Sequence, residues 1–513
     1  MDSYTGNWGD NGNGTYNNPV LPADFSDPDI IRVGSDYYLI TSTFTFSPGI
    51  TILHSSDLVN WEIINAAVND LTQINPKYSY AHMVGYGRCI WAPCITYNKR
   101  NKTFYIHFST PDDGFYVSAT KDIHGRWSDL KQVVKHDGNG FGAGWNDCGV
   151  LWDDDGQGYF ICTNFASKPV GYNGWLFKIS TDGCTIQDAG IIIRRSNDEY
   201  APEVHSTEAY KIFKKDGYYY IFCNGVKDSV RMAWLMRGKN MYGPYEFIPH
   251  PISTGYREPC QGNIIDIDTP DGKQWYFWTH LGQTDVDGRP NLLLPCEWIN
   301  GWPKAPLVWK NIKKPIPHSK EKRPQISEDF SSSKLGKQWM WNFQPREDMY
   351  SLTARPNHLR MYAYKPLIID EINTAGNVLL QRTYKSTENR VTIKLDISGM
   401  ENGQNAGLVH AASALNTALG VCQTNGKHFI RYIEGSQNIL GSEIPDGITT
   451  VYIKSCWGFD CINRFYYSFD NQNYTRFGPD YRLRGSQYCG DHVGLFCYNN
   501  LSEAGYVDVS IIS

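Results

Sequence analysis

Through about the first 300 positions, short apolar runs with polar residues at every second place alternate with tight turns. A period of two over four to eight residues predicts strands, and almost nothing there repeats at the 3.6-residue spacing of a helix. One unit sets the template: Asp27-Pro28-Asp29-Ile30-Ile31-Arg32-Val33, a turn at Gly34-Ser35-Asp36, then Tyr37-Tyr38-Leu39-Ile40-Thr41. It recurs from Trp91, from Asp147 with a turn at Asp155-Gly156, from Glu208 with Asp216-Gly217, and from Gln261 with Asp271-Gly272. Asp-Gly between apolar runs is hairpin chemistry. Most copies close on a late aromatic: Trp61, Trp127, Tyr245 and Trp302. Five copies at roughly 50 to 65 residues predict an all-β, five-bladed β-propeller over residues 18–310, each blade of four short strands.

The flanks read differently. Residues 1–17 are rich in Gly, Asn and Asp and predict an irregular lead-in, and residues 311–326 form a charged, proline-containing linker. From residue 327 to 513 the alternation continues without the blade repeat, which predicts a second domain, a β-sandwich of the lectin-like jelly-roll kind.

Composition narrows the function classes. A net charge of −5 without a long Lys/Arg run removes the electrostatic footprint of nucleic-acid binding. No window is apolar for long enough to predict a membrane span, and no obligate protein partner is implied. The start Met1-Asp2-Ser3-Tyr4 lacks a signal pattern, which leaves a cytoplasmic protein, or a periplasmic or secreted one whose leader was removed. The 13 cysteines stand mostly inside strand patterns and read as buried thiols; Cys89 with Cys94 is the one pair to consider, and no Cys-x-x-Cys zinc pattern occurs. An aromatic content of 14% suits stacked sheets and sugar-stacking surfaces alike.

The first strand of each propeller blade lines the central channel, so the five repeat starts, Asp27, Trp91, Asp147, Glu208 and Gln261, are expected at one mouth. Three carboxylates crowded together are costly without a task. Two acids on opposite walls, one protonated and one ionised, are the machinery of glycoside hydrolysis, with a third to tune the acid. Glu203 competes with Glu208, but the blade start favours Glu208. Asp153, Asp154 and Asp155 resemble a calcium loop yet occupy the hairpin slot, and His82, His107 and His205 lack ligand spacing.

The chain resembles glycoside hydrolase family 43, the inverting β-xylosidases and α-L-arabinofuranosidases, over nearly its whole length. The resemblance rests on Asn18-Pro19-Val20 ahead of Ser26-Asp27-Pro28-Asp29, on Thr41-Ser42-Thr43-Phe44 and on His54-Ser55-Ser56-Asp57-Leu58-Val59-Asn60-Trp61. Trp91-Ala92-Pro93, Gly288-Arg289 and Trp298-Ile299-Asn300-Gly301-Trp302-Pro303 complete it. It implies Asp27 as general base, Glu208 as general acid and Asp147 as the residue that tunes and orients the acid. It further implies that Phe44 and Trp91 wall the sugar subsite and that Arg289 reaches into it; Gln261 joins them in binding substrate by its repeat position. Two departures stand out: Pro259-Cys260-Gln261-Gly262 replaces a His that many relatives link to a channel calcium, and Thr207-Glu208-Ala209 replaces Glu-Gly-Pro. No required cofactor is expected, and a structural calcium stays open. The expected activity is exo-acting release of terminal α-L-arabinofuranose from plant cell-wall glycans such as arabinoxylan or xyloglucan side chains. A β-xylosidase acting on xylo-oligosaccharides is the alternative within the class, and a non-catalytic carbohydrate-binding propeller the one outside it.

Overall fold

The computed structural model describes residues 8–166, 171–196, 202–412, 415–486 and 488–512. Five four-stranded antiparallel sheets form the propeller, four of them built from consecutive strands and the first interrupted by the short strand Phe46–Ser47, which pairs elsewhere. The innermost strands are β1 (Asp29–Val33), β2 (Trp91–Asn98), β3 (Trp145–Trp152), β4 (His205–Lys215) and β5 (Pro259–Thr269). Each hairpins into its neighbour at the end away from the mouth. Asp216 and Gly217 carry φ of 50° and 76° there, the paired left-handed conformation of a type I′ turn, which Asp-Gly adopts at little cost. The apolar faces of adjoining blades meet in buried layers; one joins Tyr37, Leu39 and Trp61 of the first blade to Tyr276, Trp278 and Leu293 of the fifth.

Closure of the ring needs no shared strand. Asn18 Nδ2 donates to Leu293 O (3.0 Å), Leu293 N donates back to Asn18 Oδ1 (2.8 Å), and Asn291 Nδ2 donates to Phe25 O (2.7 Å), so the segment before the first blade is stitched to the fifth. The lead-in and the linker are correspondingly less free than their composition suggests. Thr15–Tyr16 pairs with Ile312–Lys313 in a two-stranded ladder, because the linker runs back over the closure seam.

The C-terminal domain is a sandwich of two large antiparallel sheets with a continuous apolar core that includes Leu379, Leu408, Ile393, Ile453 and Val507. One sheet reaches outside its own domain: Met340–Asn342 pairs with Phe46–Ser47 of the first blade. The two domains therefore share a sheet edge as well as side chains. Arg382, buried, donates through Nε to Asp24 O (2.7 Å) and through Nη2 to Thr51 Oγ1 (2.9 Å), and its guanidinium lies over the Phe25 ring. Burial pushes its pKa down to about 10, and the Asp24 carboxylate pulls against that shift.

Candidate active site

At the mouth the inner strands leave regular pairing. The register breaks between Trp91 and Cys94, between Asn146 and Cys148, on both sides of Glu208, and between Pro259 and Gly262. Asp27, Ala92, Asp147 and Ala209 take positive φ of 51°, 35°, 47° and 58°. Such residues cost about 1 to 3 kcal/mol each and persist only where surroundings over-determine them. Each of the four N–H groups is taken by a side chain. Asp27 N donates to His280 Nδ1 (3.1 Å), Ala92 N to Ser42 Oγ (2.8 Å), Asp147 N to Ser109 Oγ (3.3 Å) and Ala209 N to Asp147 Oδ2 (3.0 Å). The bulges thereby turn the repeat-start side chains out of the pleat and into the channel mouth.

The pocket so formed is about 250 Å³, below the ~300 to 1,000 Å³ of sites for drug-sized ligands. Asp27, Phe44, Trp91, Asp147, Glu208, Gln261 and Arg289 all line it. The competing candidates lie elsewhere: Glu203 is exposed, 3.6 Å from Lys227 Nζ, and Asp153 pairs with Lys214 at its hairpin (2.5 Å). His107 is buried against Gly183 O, while His82 and His205 are exposed. All described cysteines, Cys89 and Cys94 included, are free thiols.

Sequence reasoning missed Tyr172, Asn224, Arg231, Cys260, His280 and Tyr488, which line the same pocket. Tyr172, Asn224, Arg231 and His280 lie on second or third strands or their loops, outside the repeat-start position that gave the signal, and Cys260 stands one residue before the repeat start of the fifth blade. Tyr488 comes from the sandwich. Its ring stacks on Phe44 (centroids 6.4 Å apart), meets Trp91 edge-on (5.4 Å) and lies under the Arg289 guanidinium (5.2 Å), so the two domains build one aromatic wall.

The carboxylates are held differently. Asp27 Oδ1 accepts from Arg289 Nη1 (2.8 Å) and Oδ2 from Ser42 Oγ (2.7 Å). Glu208 Oε1 is paired with Arg231, and Oε2 carries no hydrogen bond among the described residues. Burial raises the Glu208 pKa; Arg231 and Arg289 pull it back, and Asp27 pushes it up. Asp147 is pushed up to about 8, first by burial and then by the negative charges of Glu208 and Asp27. The buried Asp147 and the half-buried Glu208, joined through one peptide unit, thus retain a proton into the neutral range as a coupled pair.

Beneath the acids the channel carries its own cation. Lys211, three residues beyond Glu208 and buried, donates through Nζ to Pro93 O (3.1 Å) and Cys148 O (3.2 Å) and sits 3.6 Å from Asp29 Oδ2. Carbonyl and carboxylate oxygens are what calcium would take. Here the Lys211 ammonium takes them, and the described residues hold no group of three His, Cys, Asp or Glu side chains placed to bind a metal.

A family model for glycosyl hydrolases family 43 matches residues 16–303, the whole propeller with its closure segment. The chain belongs to that family. A second model, the β-xylosidase C-terminal concanavalin A-like domain, matches residues 327–513. Among family 43 relatives, a β-xylosidase of Formosa agariphila is 34% identical over 99% of this chain and 91% of its own length. A non-reducing end α-L-arabinofuranosidase of Bacteroides ovatus is 29% identical over 68% of this chain and 65% of its own. A solved structure described as a bifunctional GH43-CE of Bacteroides eggerthii superposes with a TM-score of 0.81 at 27% identity, covering 97% of this chain, which spans 63% of that longer one.

Proposed function

We propose that this family 43 glycoside hydrolase is an exo-acting, inverting enzyme that removes a terminal pentose from hemicellulose-derived glycans. The observation that carries the reading is the small pocket itself, where three carboxylates meet polar atoms that find no partner among the described residues: Asn224 Oδ1, Gln261 Nε2 and Arg289 Nε. Buried polar atoms are normally hydrogen-bonded, and the hydroxyls of one sugar ring would satisfy these. In this reading Asp27, oriented by Arg289 and Ser42, takes a proton from the attacking water. Glu208, held by Arg231 through one oxygen, gives its proton to the leaving glycosidic oxygen through the other. Asp147 shares a raised, coupled titration with Glu208 and fixes the strand by accepting from Ala209 N. Phe44, Trp91 and Tyr488 cover the apolar ring face and exclude water from the bond being broken.

For the sugar, our reading leans on the names of the relatives. The Formosa agariphila protein, matched almost end to end, is named a β-xylosidase, which puts β-D-xyloside ahead of the α-L-arabinofuranoside that the sequence motifs suggested; the Bacteroides ovatus relative supports the latter as second activity. Initial rates on 4-nitrophenyl β-D-xylopyranoside and 4-nitrophenyl α-L-arabinofuranoside test this. The expected result is a higher kcat/KM on the xyloside. A higher value on the arabinofuranoside reverses the order, and no turnover of either, with binding retained, would favour the non-catalytic propeller.

A further inference from the structure

One buried carboxylate in the neighbourhood has no part in the chemistry above. Asp24 is 6% exposed and stands three residues before Asp27. Its Oδ1 accepts from Ser26 Oγ (2.9 Å) and from Arg289 N (3.3 Å), and its Oδ2 accepts from Gly490 N of the sandwich (2.9 Å). Ser26 Oγ also lies 3.1 Å from the Tyr488 carbonyl. One carboxylate therefore contacts the segment that leads into the candidate base, the backbone of the arginine that orients that base, and the sandwich loop whose Tyr488 closes the aromatic wall.

The surrounding chain is shaped around this junction. Gly288 has φ of 63°, and a Cβ there would fall 2.2 Å from Asp24 Oδ1. A Cβ on Gly490 would come within 2.5 Å of Gly288 N. The fifth-blade loop and the sandwich loop approach so closely only because both lack side chains at the contact. Asp491 N continues the seam by donating to Val286 O (2.8 Å). On the far side, Arg382 Nε holds the Asp24 carbonyl. Three donors converge on the carboxylate and work against the burial that pushes its pKa up, so replacing the acid leaves buried N–H and O–H groups unpaired.

We propose that Asp24 is a positioning residue: it latches the Tyr488 segment of the sandwich onto the propeller, in register with Asp27 and Arg289, and so acts on the sugar subsite through Tyr488. The proposal rests on the functional reading above for its kinetic arm and on geometry alone for its structural arm. Asp24→Asn keeps the shape but turns an amide N–H₂ toward one set of donors. Hydrogen exchange on the full-length variant is expected to accelerate at residues 488–491, with the sandwich core strands Asn389–Asp396 and Thr450–Trp457 unchanged. On the better of the two nitrophenyl glycosides, kcat/KM is expected to fall about tenfold, mainly through KM, the scale of one lost charge-assisted hydrogen bond. In a Tyr488→Ala background the same change is expected to cost less than about threefold, since the residue it positions is gone. Ser26→Ala, a smaller change at the same junction, guards against a variant that fails to fold and is expected to move exchange and KM in the same direction. Unchanged exchange at residues 488–491, or equal losses in the two backgrounds, overturns the latch. Faster exchange in a protein whose wild type cleaves neither glycoside would leave the latch standing and refute the functional reading instead.

Discussion

In the propeller, the five inner strands bring Asp27, Trp91, Asp147, Glu208 and Gln261 to one mouth, and each of these positions is left-handed or stands at a register break, while the far ends close in hairpins such as Asp216-Gly217. The sandwich has regular sheets and a well-filled core, yet it touches the same pocket through a single residue of one irregular loop. The difference separates two tasks. Reacting groups sit on strand ends braced by four neighbouring strands, where strain can be sustained. Tyr488, also left-handed at φ of 68°, is held by the contact between domains and sets the size and dryness of the subsite rather than its chemistry.

Removing each contribution in turn sharpens that division. Asp27→Ala is expected to have the largest effect, a loss of roughly 10³-fold or more in kcat on every substrate, because no other group at the mouth can activate water. Steady-state assays with aryl and natural glycosides check it. Glu208→Gln comes next: about 10² to 10³-fold on an unactivated oligosaccharide but far less on a nitrophenyl glycoside, whose leaving group needs little protonation. Equal losses on both would assign the acid elsewhere.

Asp147→Asn has a smaller effect with a distinctive signature. The Asp147–Glu208 pair is raised, so the folded state keeps a proton that the pair loses as pH climbs through about 8, and the basic limb of kcat/KM is expected there. Taking away the Asp147 charge lets Glu208 ionise more easily. The limb then moves to lower pH, by about one unit, the scale of one nearby charge. By linkage, a raised carboxyl also makes wild-type stability fall as pH rises from about 4 to about 8, and thermal unfolding of the Asn variant should lose that part of the slope. Tyr488→Ala is expected to be mildest, raising KM and the inhibition constant of D-xylose about tenfold with kcat little changed, as loss of one stacking face implies. A large kcat defect there would mean that the sandwich takes part in chemistry.

The same division explains what could be read in advance. The hairpins, the blade count and the repeat-start residues were legible because a repeated unit puts equivalent residues at equivalent places, and Asp27, Asp147 and Glu208 stood at that offset. Arg231, His280 and Asn224 follow no such offset; they reach the pocket because a blade is only four strands wide. Tyr488 was invisible for a stronger reason. Its loop meets Ser26 across a separation of 462 residues, and nothing in Tyr488-Cys489-Gly490 distinguishes it from an ordinary surface turn. Likewise nothing in the charged, proline-containing linker signalled that Ile312–Lys313 pairs in a ladder with Thr15–Tyr16 of the lead-in.

The central claim is that Asp27 and Glu208 act from opposite walls with a water between base and sugar. For inverting glycosidases that requires a carboxyl separation of about 6.5 to 9.5 Å, and it fixes the anomer of the sugar first released. Proton NMR of the product during the first minutes of hydrolysis, before mutarotation, reads this directly. A β-xyloside should yield α-xylose first, whereas β-xylose appearing first would contradict the assignment of Asp27 as a base and require it, or another carboxylate, to attack the sugar itself.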